Sequence, residues 1–312
     1  MKMTRRKFLI AGGLITGSLA IGYGFYSGDP DNAAYAKTTK DEEVALNAWV
    51  KIAPDGIITI AVHRAEMGQG IYTALAMLVA EELDANWKDI RIETAPVNDV
   101  YANSAILFGS LPYDDDYHKG QESNGQWFMQ KVGAMLGLMV TGGSSSSIDA
   151  WQPLREAGAI ARYMLINAAA RKWGVNVNSI DIEAGQIRHE ISGKLIGFGE
   201  VAADAANVSP PKDIQLKQQT AFKIIGQPIK RLDITAKVNG SAGFGIDVQL
   251  ENMLYASVKA APIFGGDVLS FDDSKAQQMP GVKSILQIDK AVVVVANSYW
   301  RAKKSLDVIE II

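Results

Sequence analysis

The chain has 312 residues, a length that suits about two domains. Hydrophobic residues make up 48% and charged residues 21%, which excludes a disordered chain, and a net charge of -3 argues against a general nucleic-acid binder. The sequence has no cysteine, which excludes disulfides, thiolate catalysis, zinc–thiolate sites and thiolate-bound iron–sulfur clusters from this chain.

The N-terminal segment predicts export. Thr4–Leu9 has the sequence TRRKFL, which matches the twin-arginine pattern of bacterial folded-protein export, and a mildly apolar stretch follows. Ala34–Ala36 (AYA) is a candidate cleavage site, so residues 1–36 are assigned to a twin-arginine signal, or alternatively to an N-terminal membrane anchor. The expected location is periplasmic, with or without an anchor. Because this route moves folded proteins, often with an inserted cofactor, it also favours a bound cofactor.

A β-hairpin, a helix and a strand are predicted next. Asn47–His63 forms two alternating runs on either side of Pro-Asp-Gly at residues 54–56, a good turn sequence. Ile71–Leu83 has apolar residues at helical spacing, and Asp89–Val97 is another extended run. Tyr101–Lys131 is expected to be a long surface loop, and its acidic run YDDDYH is more typical of solvated carboxylates than of a metal site.

A long helix and a second domain follow. Ile148–Lys172 predicts an alanine-rich helix, with the preceding serines as N-caps, Asp149 in its first turn and Gly174 at its end. The stretch NVSPPKD predicts a linker, and a domain boundary is expected near residues 210–222. Beyond it, SFDDSKAQQMPGVKSIL predicts a short helix and a strand, and AVVVVANSYWRAKKSLDVIEII a buried strand and a helix. The whole pattern favours a mixed α/β (α+β) fold.

Two glycine-rich turns precede helices and are the candidate binding residues: Gly68, Gln69, Gly70, Gly142, Gly143, Ser144, Ser145, Ser146 and Ser147. Glycine permits close backbone approach, and the N–H groups at a helix start suit an anion. The glutamine amide suits the edge of a heterocycle. Neither turn is a P-loop or a dinucleotide fingerprint. On these residues alone, an anionic-ligand site and ordinary glycine turns with serine caps remain open alternatives.

Longer motifs carry a family resemblance. HRAEMGQGIYTALAMLVAEELD and TGGSSSSIDAWQPLREAGAIAR resemble the large, molybdenum-binding subunit of the xanthine dehydrogenase and aldehyde oxidase family, in its isoquinoline 1-oxidoreductase branch. IIGQPIKRLDITAKVNGSAGFGIDVQLENMLYASVKAAPIFGGDVLSFDDSKAQQMPGVKSIL resembles the α/β hammerhead domain of that family. The resemblance implies a partial molybdopterin-binding-type domain at residues 37–215 and a hammerhead-like domain at residues 216–312, the order found in this branch.

The resemblance also implies a cofactor and a reaction. The cofactor is molybdopterin, alone or as its cytosine dinucleotide. Gly68, Gln69 and Gly70 are expected to approach it, with Gln69 near the pterin or the molybdenum ligands, and residues 142–147 to serve its phosphate or nucleotide end. The family hydroxylates a carbon beside a ring nitrogen, or an aldehyde carbon, with oxygen from water. A small N-heterocyclic or aldehyde substrate is therefore expected, and no nucleic acid.

Part of the family pattern is missing. The family subunit is longer, and the Gly-Glu-Pro-like loop that carries its presumed general base has no counterpart here, so no catalytic base and no metal ligand are assigned. The expected partners are a 2Fe-2S small subunit and a separately encoded C-terminal half. The expectation is the N-terminal portion of a molybdenum hydroxylase large subunit, inactive alone. The alternatives are a non-catalytic cofactor-binding or assembly protein, and an inert truncated remnant.

Overall fold

The chain forms two compact units, divided between Asn239 and Gly240. Both combine helices with β-sheet, which confirms the predicted mixed α/β class. The twin-arginine segment and the YDDDYH run lie outside the part of the chain that the structure describes. Among the helices of the described part, none has both the length and the apolar character needed to cross a membrane. This computed structural model describes residues 35–40, 42–110, 132, 136–211 and 213–312.

A four-stranded sheet forms the base of the first unit, in the order β1-β2-β3-β4. Its strands are β1 (Val44–Ala45), β2 (Val50–Ile52), β3 (Ile58–Val62) and β4 (Ile90–Thr94). β2 and β3 form the predicted antiparallel hairpin. β3 and β4 are parallel, and the helix α1 (Ile71–Leu83), which begins and ends at the predicted residues, makes the crossover between them. The turn that contains Gly68 and Gly70 therefore follows the carboxyl end of β3.

The helix α2 (Ser146–Trp173) packs closely against α1. The close approach depends on Gly158, where an added Cβ would lie 2.5 Å from the carbonyl oxygen of Val79. α2 ends at Gly174, whose φ of 67° is in the left-handed region, as the sequence predicts. Side chains from both helices and the sheet form one core, which includes Ile60, Leu75, Val79, Leu83, Leu154 and Leu165.

The segment that begins at Tyr101 differs from the prediction. Tyr101 is fully buried, and short 3-10 helices span Asp99–Tyr101 and Ser104–Ser110. Its ring packs edge-on against Trp49, and its hydroxyl donates a hydrogen bond to the carbonyl of Ala48 at 2.5 Å. The prediction of a surface loop is therefore wrong for the start of this segment, because alternation and composition gave no sign that a tyrosine would fill the core beside the hairpin.

The first unit also contains a small antiparallel sheet and two short α-helices. The sheet has the order β5-β6-β7. The elements are β5 (Asp181–Glu183), β6 (Gln186–His189), β7 (Lys194–Gly197), α3 (Ala202–Ala205) and α4 (Ile234–Val238).

Residues 217–233, here called the strap, run along α1 from its end to its beginning. Near the end of α1, the Glu81 carboxylate accepts hydrogen bonds from the backbone N–H groups of residues 223–225 at 2.9, 2.7 and 3.0 Å. In the first turn of α1, the Thr73 hydroxyl accepts one from the Leu232 N–H at 3.0 Å. Burial raises the pKa of Glu81, but these amide hydrogen bonds outweigh burial and leave the pKa below its ordinary value.

The strap belongs to the first compact unit, although it follows the boundary predicted between residues 215 and 216. Composition changes near that boundary, but a carboxylate on α1 binds the segment that comes after it. The assignment of residues 37–215 and 216–312 to two family domains stays a prediction.

The second unit contains a three-stranded antiparallel sheet in the order β10 (Val282–Ile288), β11 (Ala291–Ala296) and β8 (Tyr255–Ala260), and the helix α6 (Tyr299–Asp307) packs against it. Its core includes Val292 and Val294 of the central strand and Leu306 of the helix. The predicted helix–strand and strand–helix pairs are confirmed. The elements are β8 (Tyr255–Ala260), β9 (Phe271–Asp272), α5 (Ser274–Gln277), β10 (Val282–Ile288), β11 (Ala291–Ala296), α6 (Tyr299–Asp307) and β12 (Glu310–Ile311).

Candidate functional site

Residues 65–70, here called the Gly-Gln-Gly loop, connect β3 to α1 and expose Gly68 and Gln69. Gly68 and Gly70 have φ angles of 103° and 84°, in the region that favours glycine. A Cβ added at either glycine would meet no atom within 4 Å. The backbone conformation therefore requires these glycines, and the space beside them is open to a ligand.

The Gln69 side chain takes part in the shape of its own loop. Its Oε1 accepts a hydrogen bond from the Met67 N–H at 2.5 Å, and its Nε2 donates one to the Ala65 carbonyl at 2.8 Å. Since an amide nitrogen carries two hydrogens, a second donor remains for another acceptor. Gln69 can therefore hold the loop and contact a ligand in the same conformation.

The start of α1 is occupied by the carboxylate of Glu66. Its Oε1 accepts from the N–H groups of Gly68 and Gly70 at 2.8 and 3.0 Å, and its Oε2 from that of Tyr72 at 3.2 Å. Burial raises the pKa of Glu66, but these amide hydrogen bonds outweigh it and hold the pKa below its ordinary value. The anion expected at this helix start is thus supplied by the chain itself.

Residues 141–147, here called the serine loop, lead into α2. Gly143 and Ser144 both have left-handed φ angles, 59° and 53°. A Cβ added at Gly142 or Gly143 would approach only the side chain of Ile106, at 3.9 and 3.5 Å. Gly143, Ser144 and Ser147 are exposed, and Ser146 and Ser147 are the first residues of α2.

Ser145 does not cap α2 in the predicted way. Its hydroxyl donates to the Gly142 carbonyl and accepts from the Asn103 amide, both at 2.7 Å, and no side chain caps the helix. Ser145 is buried, so its side chain faces the protein rather than the surface. The prediction of serine N-caps is wrong here because the asparagine from a distant segment competes for the hydroxyl.

The two loops are joined where each begins. The N–H of Ala65 donates to the Thr141 hydroxyl at 2.9 Å. Beside this bond, Arg64 and Asp149 form an ion pair in which the side chains are 0% and 8% exposed. Because the pair is buried, water cannot solvate either charge if the other partner is removed. These contacts thus hold the two loops side by side, although 71 positions separate the end of one at Gly70 from the start of the other at Thr141.

Both members of the pair also form hydrogen bonds to groups around it. Besides Asp149, the Arg64 guanidinium donates to three carbonyl groups, those of His63, Tyr101 and Ala102. Asp149 in turn accepts from the Ser104 hydroxyl at 2.9 Å and the Ala105 N–H at 3.1 Å. Sequence reasoning placed Asp149 in a first turn and assigned no role to Arg64. An arginine next to a buried strand was the one signal that could have indicated this role.

His63 is buried at the base of the Gly-Gln-Gly loop and contacts the Tyr101 ring, with the ring centroids 5.9 Å apart. Burial, and then the neighbouring positive charge of Arg64, lowers the pKa of His63 to about 3. The imidazole is therefore neutral at physiological pH. In the described ranges, no group of three or more His, Asp or Glu side chains is placed to hold a metal ion.

The arrangement suits a ligand with a polar ring. The open glycine backbone permits close approach, the Gln69 amide offers a donor, and the serine hydroxyls add others. These are groups that fit the polar edge of a pterin and the oxygens of a phosphate. The described part therefore fits molybdopterin, although Glu66 already fills one of the two helix starts.

One known family model matches part of the chain. Residues 5–111 match the model of the molybdopterin cofactor-binding domain, a range that contains Gly68, Gln69 and Gly70 and ends before the serine loop. This match confirms the expected resemblance to the molybdenum-binding large subunits of the xanthine dehydrogenase and aldehyde oxidase family, and it supports molybdopterin as the cofactor of the matched domain.

Three curated relatives make the likeness more specific. The chain is 30% identical, over 97% of its length, to the beta subunit of isoquinoline 1-oxidoreductase from Brevundimonas diminuta, and it covers 39% of that protein. It is 33% identical, over 84% of its length, to a membrane-bound aldehyde dehydrogenase (pyrroloquinoline-quinone) of Gluconacetobacter polyoxogenes, covering 31% of it. It is 27% identical, over 83% of its length, to a subunit of nicotinate dehydrogenase from Pseudomonas putida, covering 20% of it. The chain therefore spans less than half the length of each.

Removing Asp149 tests the buried ion pair. Asp149→Ala should lower the free energy of unfolding by about 3–5 kcal/mol, because Arg64 would remain buried without a counter-charge. Adding Arg64→Met should recover part of that loss. Urea unfolding of the single and double variants measures both effects. The control is Asp307→Ala, which breaks an exposed pair with Lys303 and should leave the free energy of unfolding almost unchanged, because solvent screens such a pair. Equal losses for the two aspartates would contradict the role given to Asp149.

The low pKa of His63 predicts a pH dependence. Since its folded-state pKa of about 3 lies below the ordinary 6.5, only the unfolded chain takes up the proton between these values. Its contribution is complete above pH 6.5 and declines, by about 1.4 kcal/mol per pH unit, as the pH falls toward 3. Urea unfolding at pH 6.5 and 5 should show this slope in the native protein and a shallower one in His63→Phe. Identical slopes would show that His63 is not the group responsible.

Proposed function

We propose that this chain supplies the molybdopterin-binding lobe of a molybdenum hydroxylase that oxidises a small N-heterocycle or an aldehyde. The observation that supports it is the pairing of the two glycine-containing loops. The Arg64–Asp149 ion pair and the Ala65–Thr141 hydrogen bond hold side by side the segments expected to contact the cofactor. The names of two relatives, an isoquinoline oxidoreductase and a nicotinate dehydrogenase, support an N-heterocyclic substrate class.

The chain's own residues would bind and orient the cofactor. Gln69 would donate to a polar atom of the pterin from its free amide hydrogen, and Gly68 and Gly70 would permit the approach. Ser144, Ser146 and Ser147 would serve the phosphate end, whether the cofactor is molybdopterin or its cytosine dinucleotide. When bound, the cofactor supplies a metal centre that takes two electrons from the substrate.

The proposal requires partners for the rest of the reaction. Without cysteine, this sequence offers no thiolate for an iron–sulfur cluster, so a 2Fe-2S subunit would carry the electrons onward. Sequence corresponding to the remainder of the longer relatives, in the same or a separate chain, would supply the general base.

The cofactor role of Gln69 is testable with the protein isolated from cells that make molybdopterin. Gln69→Ala should reduce molybdenum per chain several-fold, because it removes both the donor to the pterin and two hydrogen bonds that shape the loop. Stability should fall by no more than about 1 kcal/mol, since the side chain is exposed. Plasma mass spectrometry for molybdenum and urea unfolding measure the two effects.

Gln152→Ala is the matched control, because Gln152 is also exposed and its amide donates a hydrogen bond to Glu156 on the same helix. It should retain the native molybdenum content. Native molybdenum content in Gln69→Ala would show that Gln69 does not bind the cofactor. Absence of molybdenum from the native protein would contradict the proposed function. Molybdenum without turnover, in the presence of both a 2Fe-2S partner and the remaining large-subunit sequence, would favour a non-catalytic cofactor-binding or assembly protein.

We also propose, from the TRRKFL sequence alone, that the chain is exported to the periplasm by the twin-arginine route, with or without retention of the signal as an anchor. Arg5→Lys combined with Arg6→Lys should keep the protein in the cytoplasm, because this recognition depends on the guanidinium groups and not on charge alone. Cell fractionation measures the distribution, and Lys2→Gln, outside the motif, is the control. Undiminished periplasmic protein in the double variant would reject the export proposal.

A further inference from the structure

The guanidinium of Arg231 binds the Gly-Gln-Gly loop from outside. One nitrogen donates to the carboxylate of Glu66 at 3.0 Å, and another donates to the carbonyl of Gly68, also at 3.0 Å. Asp233 accepts from the same guanidinium at 2.7 and 3.0 Å and so fixes its orientation. A lysine could not make this set of contacts, because it lacks the planar fork of an arginine.

Both groups that Arg231 holds determine the shape of the loop. The Glu66 carboxylate is the acceptor for the N–H groups of Gly68 and Gly70, and its side chain is only 4% exposed. The carbonyl of Gly68 belongs to the turn that places Gln69 at the surface. Glycine-rich backbone has many accessible conformations, so an external contact that selects one of them has a large effect.

Arg231 is itself held in place by α1. The next residue, Leu232, donates to the Thr73 hydroxyl at 3.0 Å, and the strap is bound further along α1 by Glu81. The backbone that carries Arg231 is therefore fixed to α1, the helix that directly follows the Gly-Gln-Gly loop. Both the Gly-Gln-Gly loop and Arg231 are therefore held by α1.

We propose that Arg231 is a positioning residue for the cofactor: through Glu66 and the Gly68 carbonyl, it keeps the Gly-Gln-Gly loop in the conformation that binds molybdopterin. This inference rests on the proposed function. Because Glu66 uses the N–H groups at the start of α1, the loop recognises its ligand by backbone shape and by Gln69, and shape is what Arg231 controls. Preorganisation of this kind raises affinity without a direct contact to the ligand.

The test compares Arg231→Gln and Arg231→Lys with Lys230→Gln, which removes the same charge from an exposed neighbour. Hydrogen exchange of peptides that cover residues 65–73 is measured on the full chain without cofactor. Molybdenum per chain is measured on protein from cells that make molybdopterin. In Arg231→Gln the loop amides should exchange about tenfold faster, which corresponds to about 1.4 kcal/mol, and molybdenum content should fall several-fold. Arg231→Lys should be intermediate, and Lys230→Gln should match the native protein.

The outcomes separate the two proposals. Faster exchange with lower molybdenum, at an unchanged urea midpoint for the whole chain, supports the positioning role. Native molybdenum content in Arg231→Gln overturns the positioning role, even if exchange is faster, because the contacts of Arg231 would then be structural only. The proposed function would stand in that case. If the native protein itself binds no molybdenum, the proposed function fails, and the positioning role falls with it.

Discussion

The buried ion pair between Arg64 and Asp149 is the interaction on which the candidate site depends. Its charges are almost completely removed from water, and such a pair is costly unless both partners are fully hydrogen-bonded. Here carbonyl groups accept from both terminal nitrogens of Arg64, and hydroxyl and N–H groups donate to Asp149, so that within the described residues only the Arg64 Nε lacks a partner. The pair therefore fixes relative position more than it adds net stability. It places the end of β3 beside the first turn of α2, and the two exposed loops continue from those points.

Two buried carboxylates, one just before α1 and one near its end, also accept several backbone hydrogen bonds. Glu66 accepts N–H groups at the start of the helix, and Glu81 accepts N–H groups from the strap near its end. A negative charge is favourable at a helix start and unfavourable at its end. The ionised form of Glu81 therefore needs the strap amides more than the ionised form of Glu66 needs Arg231. The strap amides thus stabilise the carboxylate at the end of the helix, and the strap continues along α1 to place Arg231 near its start.

Local structure could be predicted from the sequence, and long-range contacts could not. The bounds of α1 followed from apolar spacing, and the hairpin followed from alternation around a turn, because both patterns report a single element. Arg64 and Asp149 are 85 positions apart, and Glu66 and Arg231 are 165 apart. Nothing in the periodicity connects such residues. The same limit explains Ser145, whose hydroxyl was expected at a helix start and instead meets an asparagine 42 positions away.

The range that matches the molybdopterin cofactor-binding domain ends at residue 111, yet the groups that hold its loop lie beyond it. Thr141 binds the start of the Gly-Gln-Gly loop, Asp149 neutralises Arg64, and Arg231 binds Glu66 and Gly68. Glycine and glutamine residues alone would leave this turn free to adopt many conformations. Its geometry is therefore a property of the first compact unit as a whole, with the strap included. The matched range contains the glycine and glutamine residues of the loop, whereas the contacts that shape the loop come from two later parts of the chain as well.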